Sequence, residues 1–375
     1  MSLYPIPASS VLGFIGFLCL CVVFHDVFEV MLLPRRVQRK LRLVRIFFNY
    51  SWALWSAVAQ RIRSPKRREN IIGIYGPLSL VALMLLWAVI LILSFGFVYY
   101  ALQPSSGLFH LFYMSGVTFF TLGYGDVTPQ TKITKALAVF ESGTGFGFIA
   151  VVISYLPVLY QMFSRREMHV IQLDARAGSP PVAITLLTRH LEGGGHRYLY
   201  QLLQRWEEWA SEMVESHLSY PMLGYYRSQH HNQHWLAAMG AIMDTCALCL
   251  VGLRDVETFP AKMTFATARL ALVELSRIFE LSPKTNAPDR LPADQFLLLS
   301  EQLGNAGVEF SAPEEAEGRL GEFRATYEPF LLALSDYLLI PLPGWLPSDD
   351  LDNWQNSPRG RSAKALVESA PANPD

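Results

Sequence analysis

The chain has 375 residues, 51% of them hydrophobic and only 17% charged, with a net charge of −1 and a mean hydropathy of +0.24. Charged residues make up about a quarter of an ordinary soluble chain, and the apolar ones here gather before residue 164, in blocks too long for core helices. That excludes a plain soluble globule and points to an integral membrane protein with a soluble second half.

The first apolar block, from about Val11 to Leu33, ends at Pro34-Arg35-Arg36 and predicts a transmembrane helix within residues 1–34. No basic segment precedes it and no cleavage site follows, so it reads as retained. His25, Asp26 and Glu29 are spaced to share one helix face. They are expected to pair with the basic residues of Arg35–Arg45, and His25 is also a candidate proton sensor. No regular arginine series runs through the block, which argues against a voltage sensor. Cys19 and Cys21 lie here and Cys246 and Cys249 in the second half, too few for a disulfide framework, so reduced thiols are expected.

From Arg35 to Arg68 there are eleven Lys or Arg residues and no acidic one. Between two apolar spans such a patch marks a cytoplasmic loop facing anionic lipid, and no nucleic-acid partner is expected. Within this basic segment, residues 35–75, Ile46–Ala59 reads as an amphipathic helix lying on the inner leaflet, with Trp52 and Trp55 at headgroup level.

The second apolar run is Leu78–Leu102 and the third about Ile133–Phe163, ending at Arg165-Arg166. At ~1.5 Å per residue each crosses a hydrocarbon core of ~30 Å. Placing every basic cluster on the cytoplasmic face of a plasma membrane puts the N-terminus outside and the large C-terminal part inside. Leu108–Pro129, between these runs, is too short for a further span. It reads as a short helix followed by a re-entrant strand, tolerated at membrane depth only where it lines an aqueous path.

That strand contains Thr121-Leu122-Gly123-Tyr124-Gly125-Asp126. A dehydrated potassium ion must exchange its water oxygens for equivalents, and consecutive backbone carbonyls aimed at one axis supply them. Such a strand needs unusual φ/ψ values, which Gly123 and Gly125 adopt at little steric cost. Thr121 adds a hydroxyl at the inner end, Tyr124 points away to brace the strand, and Asp126 sits at the outer mouth, where negative charge gathers cations. A lone Gly-Tyr-Gly is also compatible with a surface turn; the flanking apolar spans favour the filter.

Residues from about 76 to 164 resemble the two-helix-plus-pore-loop module of potassium channels. Thr121–Asp126 is similar to the family filter Thr-Val-Gly-Tyr-Gly-Asp with one conservative change. The resemblance implies a homotetramer around a shared axis, with potassium ions held by carbonyls of the Thr121–Gly125 segment. Departures are Leu122 for the usual Val or Ile, Phe120 for a common Thr, Tyr113 and Met114 where tryptophans are frequent, and Val117 where some members carry Glu. The bracing of the filter must therefore differ.

In the third span Gly143, Gly145 and Gly147 are candidates for a gating hinge, with Pro157 near an inner constriction; close helix packing explains the glycines equally well. Glu141 is an intramembrane acid for which hydrogen bonding behind the filter is expected, or else exposure to an outer vestibule.

Residues 165–184 read as a linker, 185–346 as an all-α cytosolic domain, and 347–375 as a tail too poor in apolar residues to order itself. Leu199, Leu202, Leu203 and Trp206 form one helical stripe and Ala266, Leu270, Val273 and Arg277 another. His230 and His234, one turn apart, are candidate metal ligands. Cys246 and Cys249 sit in an apolar run where burial as small hydrophobes competes with that reading. No strand-associated nucleotide motif and no catalytic set is evident, so neither an enzyme nor an organic cofactor is expected, and no cytosolic ligand is identified.

The fold expected is thus three transmembrane helices with a re-entrant pore helix and filter strand, plus an all-α cytosolic domain. The function expected is passive, potassium-selective transport gated by the inner helix and the cytosolic domain. Two alternatives stay open: a weakly selective cation channel, and a membrane-anchored helical sensor or scaffold with a vestigial pore.

Overall fold

The computed structural model describes residues 7–31, 43–191, 194–228 and 233–347. Among these residues the regular elements are helical, the one β feature being an isolated bridge between Leu253 and Phe310. The chain divides into two compact units, one up to Gln161 and one from Met162 onward.

The first unit contains α1 (Ala8–Met31), α2 (Leu43–Gln60), α3 (Pro65–Leu102), α4 (Leu108–Phe119) and the first part of α5 (Lys132–Ala177). Helix α1 packs along α3, where the Trp87 indole N–H donates to Asp26 Oδ2 at 3.0 Å. Its other flank is apolar and exposed (Phe14, Phe17, Leu18 and Phe28), a surface that suits hydrocarbon rather than water.

Helix α3 starts well before its apolar run. Pro65 occupies the first turn, where a missing N–H costs nothing, and the helix continues through Pro77. This is a correction to the expected boundary near residue 76. Helix α2 forms as expected, but Trp52 is buried against Tyr75 of α3, with ring centroids 4.8 Å apart, and the Trp55 indole donates to the Ile71 carbonyl at 3.0 Å. The exposed apolar face of α2 is instead Ile46, Tyr50, Leu54 and Val58. Aromatic stacking on α3 removes more apolar area from solvent than a lone indole could.

The linker expected at 165–184 is a second correction. Helix α5 runs on to Ala177 and ends at Gly178, whose φ is +84°. Arg166, Glu167, Val170, Leu173, Asp174 and Ala177 repeat at helical spacing and are all buried in the second unit. A face that buries this much has reason to stay helical. The basic pair Arg165-Arg166 marks a change of surroundings rather than a helix end.

The second unit adds α6 (Ala183–Leu191), α7 (His196–Ser219), α8 (Trp235–Gly252), α9 (Thr258–Ile278), α10 (Ala293–Asn305), α11 (Pro313–Ala325) and α12 (Glu328–Leu338). Leu199, Leu202, Leu203 and Trp206 of α7 are buried, as their spacing predicts. On α9 the expected stripe faces outward: Leu270 is 52% exposed, while Ala261, Phe265, Ala268, Leu272 and Leu275 are buried. Two stripes compete on that helix. The one with small residues wins because it allows close approach to α7, where the Thr264 hydroxyl donates to the Leu203 carbonyl at 2.9 Å.

Among the described residues four helices are long and apolar enough to cross a membrane: α1, α3, α5 and α8. They do not share one environment. The most apolar stretch of α8 is 94% buried within the chain, that of α5 only 11%. Helix α8 is therefore the core of the second unit, ringed by its neighbours.

Candidate functional site: the segment between α4 and α5

Gln103 ends α3 and its side-chain carbonyl accepts the Gln130 backbone N–H at 3.1 Å, so the two ends of the intervening segment meet. Within it, α4 closes with Phe120 N–H on the Gly116 carbonyl (3.1 Å), Thr121 N–H on Thr118 (3.0 Å) and Leu122 N–H on Val117 (2.8 Å). Thr131 and Thr134 exchange hydrogen bonds that cap the start of α5.

Beyond α4 the backbone alternates. Thr121, Gly123 and Gly125 have φ of +56°, +62° and +80°, with Leu122 and Tyr124 between them outside the left-handed region. In an ordinary strand successive carbonyls point to opposite sides. A backbone that changes hand at every second residue is the kind that can turn successive carbonyls toward one side. Thr121 bears the strain, since a left-handed residue with a Cβ costs about 1–2 kcal/mol, whereas the two glycines adopt it freely. Residues 120–126 are exposed in the single chain, and a Cβ added at Gly123 or Gly125 would meet nothing within 4 Å. The Tyr113 and Tyr124 side chains are both exposed.

Behind this segment α4 is held on two sides. The Tyr99 hydroxyl of α3 donates to Glu141 Oε2 at 2.8 Å, and Ser115 Oγ of α4 lies 2.5 Å from Glu141 Oε1 and 2.8 Å from the Ile92 carbonyl. Glu141 and Ser115 are both fully buried. Of the three spaced glycines, Gly145 lies against the Phe119 carbonyl so closely that a Cβ would collide with it, while Gly143 and Gly147 face open space. Pro157 lies inside α5, which continues through it. Phe119 and Phe148 add a ring contact with centroids 5.9 Å apart.

Other candidates stand apart from this segment. His25 Nε2 lies 3.6 Å from Glu29 Oε1, and Asp26 faces Trp87; of the partners expected within Arg35–Arg45, those at residues 35–42 lie outside the described residues. His230 also lies outside them, and His234 is buried at the start of α8. Cys246 and Cys249 are buried in α8, where burial pushes the Cys249 thiol up to about 12. Asp244 is engaged by Arg290 (2.9 Å) and by the Tyr327 hydroxyl (2.5 Å). Among the described residues no group of three or more His, Cys, Asp or Glu is placed to hold a metal ion.

Sequence reasoning did not anticipate Tyr99, Ser115 or Gln103. Only Gln103 carries a local signal, as the polar residue closing a charge-free apolar run.

The long apolar helices, with a looped segment between two of them, support a membrane protein. Residues 87–161 match the model of an ion channel family, a segment that runs from within α3 through the loop into α5. No curated protein and no solved structure matches the chain.

Proposed function

We propose that the chain is one subunit of a homotetrameric, potassium-selective channel in a plasma membrane, with the N-terminus outside and the second unit in the cytoplasm. The observation that carries this reading is the alternation of backbone hand at Thr121, Gly123 and Gly125. It gives a potassium ion a row of carbonyl oxygens from Thr121, Leu122, Gly123 and Tyr124. One row cannot surround an ion, and four copies about an axis can. The ion is the cargo, moving passively between these oxygens with no chemical step.

Three further features support it. The α5 surface left uncovered by its own chain is apolar (Val139, Phe146 and Ile153), fit for lipid and neighbouring subunits. Asp126 at the strand's outer end concentrates cations. The C-terminal end of α4 aims its partial negative charge toward the start of the strand. Gly145, tight against Phe119, couples any bend of α5 to the base of the filter, which gives gating by the inner helix a physical route.

The test is potassium flux into liposomes containing the purified chain, with native mass spectrometry for subunit number. Four subunits and a potassium flux well above sodium flux support the reading. A monomer, or equal fluxes, contradicts it, the latter in favour of a weakly selective cation pore.

A further inference from the structure

The contacts around Glu141 do not balance if its carboxyl group is treated only as an acceptor. Three oxygen–oxygen contacts have to be bridged: Tyr99 hydroxyl to Glu141 Oε2 at 2.8 Å, Glu141 Oε1 to Ser115 Oγ at 2.5 Å, and Ser115 Oγ to the Ile92 carbonyl at 2.8 Å. Each needs one proton between its oxygens. The Ile92 carbonyl has none to give, so the Ser115 hydroxyl must donate there. Ser115 carries only one proton, and it is then spent. Tyr99 brings a second. The third, between Glu141 and Ser115, has one remaining source.

We infer that Glu141 is a neutral carboxylic acid that donates from Oε1 to Ser115 Oγ, and that this relay positions the pore helix α4 on α3. The proton chain runs Tyr99 to Glu141 to Ser115 to the Ile92 main chain, linking α3, α5 and α4 in one directed circuit. Its surroundings suit that state. Glu141 and Ser115 are both 0% exposed, so water does not compete for the bonds, and no Lys, Arg or His among the described residues pairs with Glu141. A 2.5 Å contact between carboxylic acid and hydroxyl is of the short O–H···O kind. Ser115 lies six residues before Thr121, and Gly145 presses on Phe119 just beyond it, so α5 holds α4 at two points directly beneath the strand. Glu141 touches no ion; it is a positioning residue. This role rests on the channel reading above, but the protonation state does not.

The experiment uses the purified full-length chain as native protein, Glu141→Gln and Glu141→Leu. Infrared spectra of the native protein should contain the carbonyl stretch of a protonated carboxylic acid, and Glu141→Gln should remove that band. In liposomes Glu141→Gln should keep flux and selectivity near native values. Its amide N–H stands where the acid O–H stood, and its carbonyl still accepts from Tyr99. Glu141→Leu strands the Tyr99 hydroxyl and should lower flux or selectivity by roughly tenfold or more. Absence of a band lost in Glu141→Gln overturns the neutral acid. Failure of Gln to rescue while Leu behaves alike overturns the positioning role. If native protein carries no flux, the channel reading fails while the infrared band still decides the state of Glu141.

Discussion

The two units bury polar groups in opposite ways. In the first, Asp26 accepts from the Trp87 indole N–H, and Glu141 lies between the hydroxyl groups of Tyr99 and Ser115. In the second, the apolar helix α8 is the interior and charges meet charges. Arg290 bridges Asp244 and Glu328, Arg324 also pairs with Glu328, and both guanidinium groups lie over the Trp345 ring at 5.7 and 5.5 Å. Burial acts to lower the Arg290 pKa, but Asp244, Tyr327 and Glu328 outweigh it and hold the group above its ordinary range. Helices α5 and α8 both pass a length-and-hydropathy test for membrane spans, yet one leaves its apolar face uncovered and the other hides it. Hydropathy reports how much apolar surface a helix has; the partners available decide whether lipid or protein covers it.

The largest effect expected from breaking this contrast lies in the strand. Gly123→Ala places a Cβ on a residue at φ +62°. It should reverse one carbonyl of the row and reduce potassium flux in liposomes to background, while circular dichroism shows the helices intact. Retained flux would mean that the row of oxygens is not the conducting path.

Much of the first unit is legible in the sequence because the signals are local. Unbroken apolar runs mark α1 and α3, and the glycines of Thr121–Asp126 foretell the positive φ values found there. What stays hidden depends on distant partners. Asp26 and Trp87 are 61 residues apart, and nothing near Glu141 names Tyr99 or Ser115. The extension of α5 past Arg165-Arg166 is missed because a basic pair also marks a membrane boundary. There Arg166 turns inward, donating to the Leu223 and Tyr226 carbonyls at 2.8 and 2.7 Å. On α9 the outer stripe is as regular as the buried one, so periodicity alone could not choose between them.

The next largest effect belongs to the second unit. Arg290→Met leaves Asp244 buried without its cation, which costs about 3–5 kcal/mol. Hydrogen exchange should show α8, α10 and α12 losing protection while α1 and α3 keep theirs. Equal loss in both units would mean they do not unfold separately.

A smaller effect follows from His217. Burial, with Arg166 nearby, lowers its pKa to about 3, and its Nδ1–H donates to the Met213 carbonyl at 2.9 Å. A base held below its unfolded value of about 6.5 supports the fold above that pH and withdraws support as pH falls toward 3. The loss is about 1.4 kcal/mol for each pH unit in that window. His217→Leu should flatten this part of the stability–pH curve measured by denaturant titration; an unchanged slope would assign it to other groups.

The smallest effects separate the glycines of α5. Gly145→Ala must displace the Phe119 carbonyl and should destabilise by about 1–3 kcal/mol. Gly143→Ala meets open space and should shift thermal stability by no more than about 1 kcal/mol, toward greater stability. Matching losses at both positions would show that Gly143 also faces a packed surface in the assembly.

The most direct measurement is the reversal potential of the purified channel in a planar bilayer, with potassium on one side and sodium on the other. Four rows of carbonyls around one axis predict a reversal close to the potassium equilibrium potential. A reversal near zero, or no current from protein shown to be tetrameric, would contradict that account.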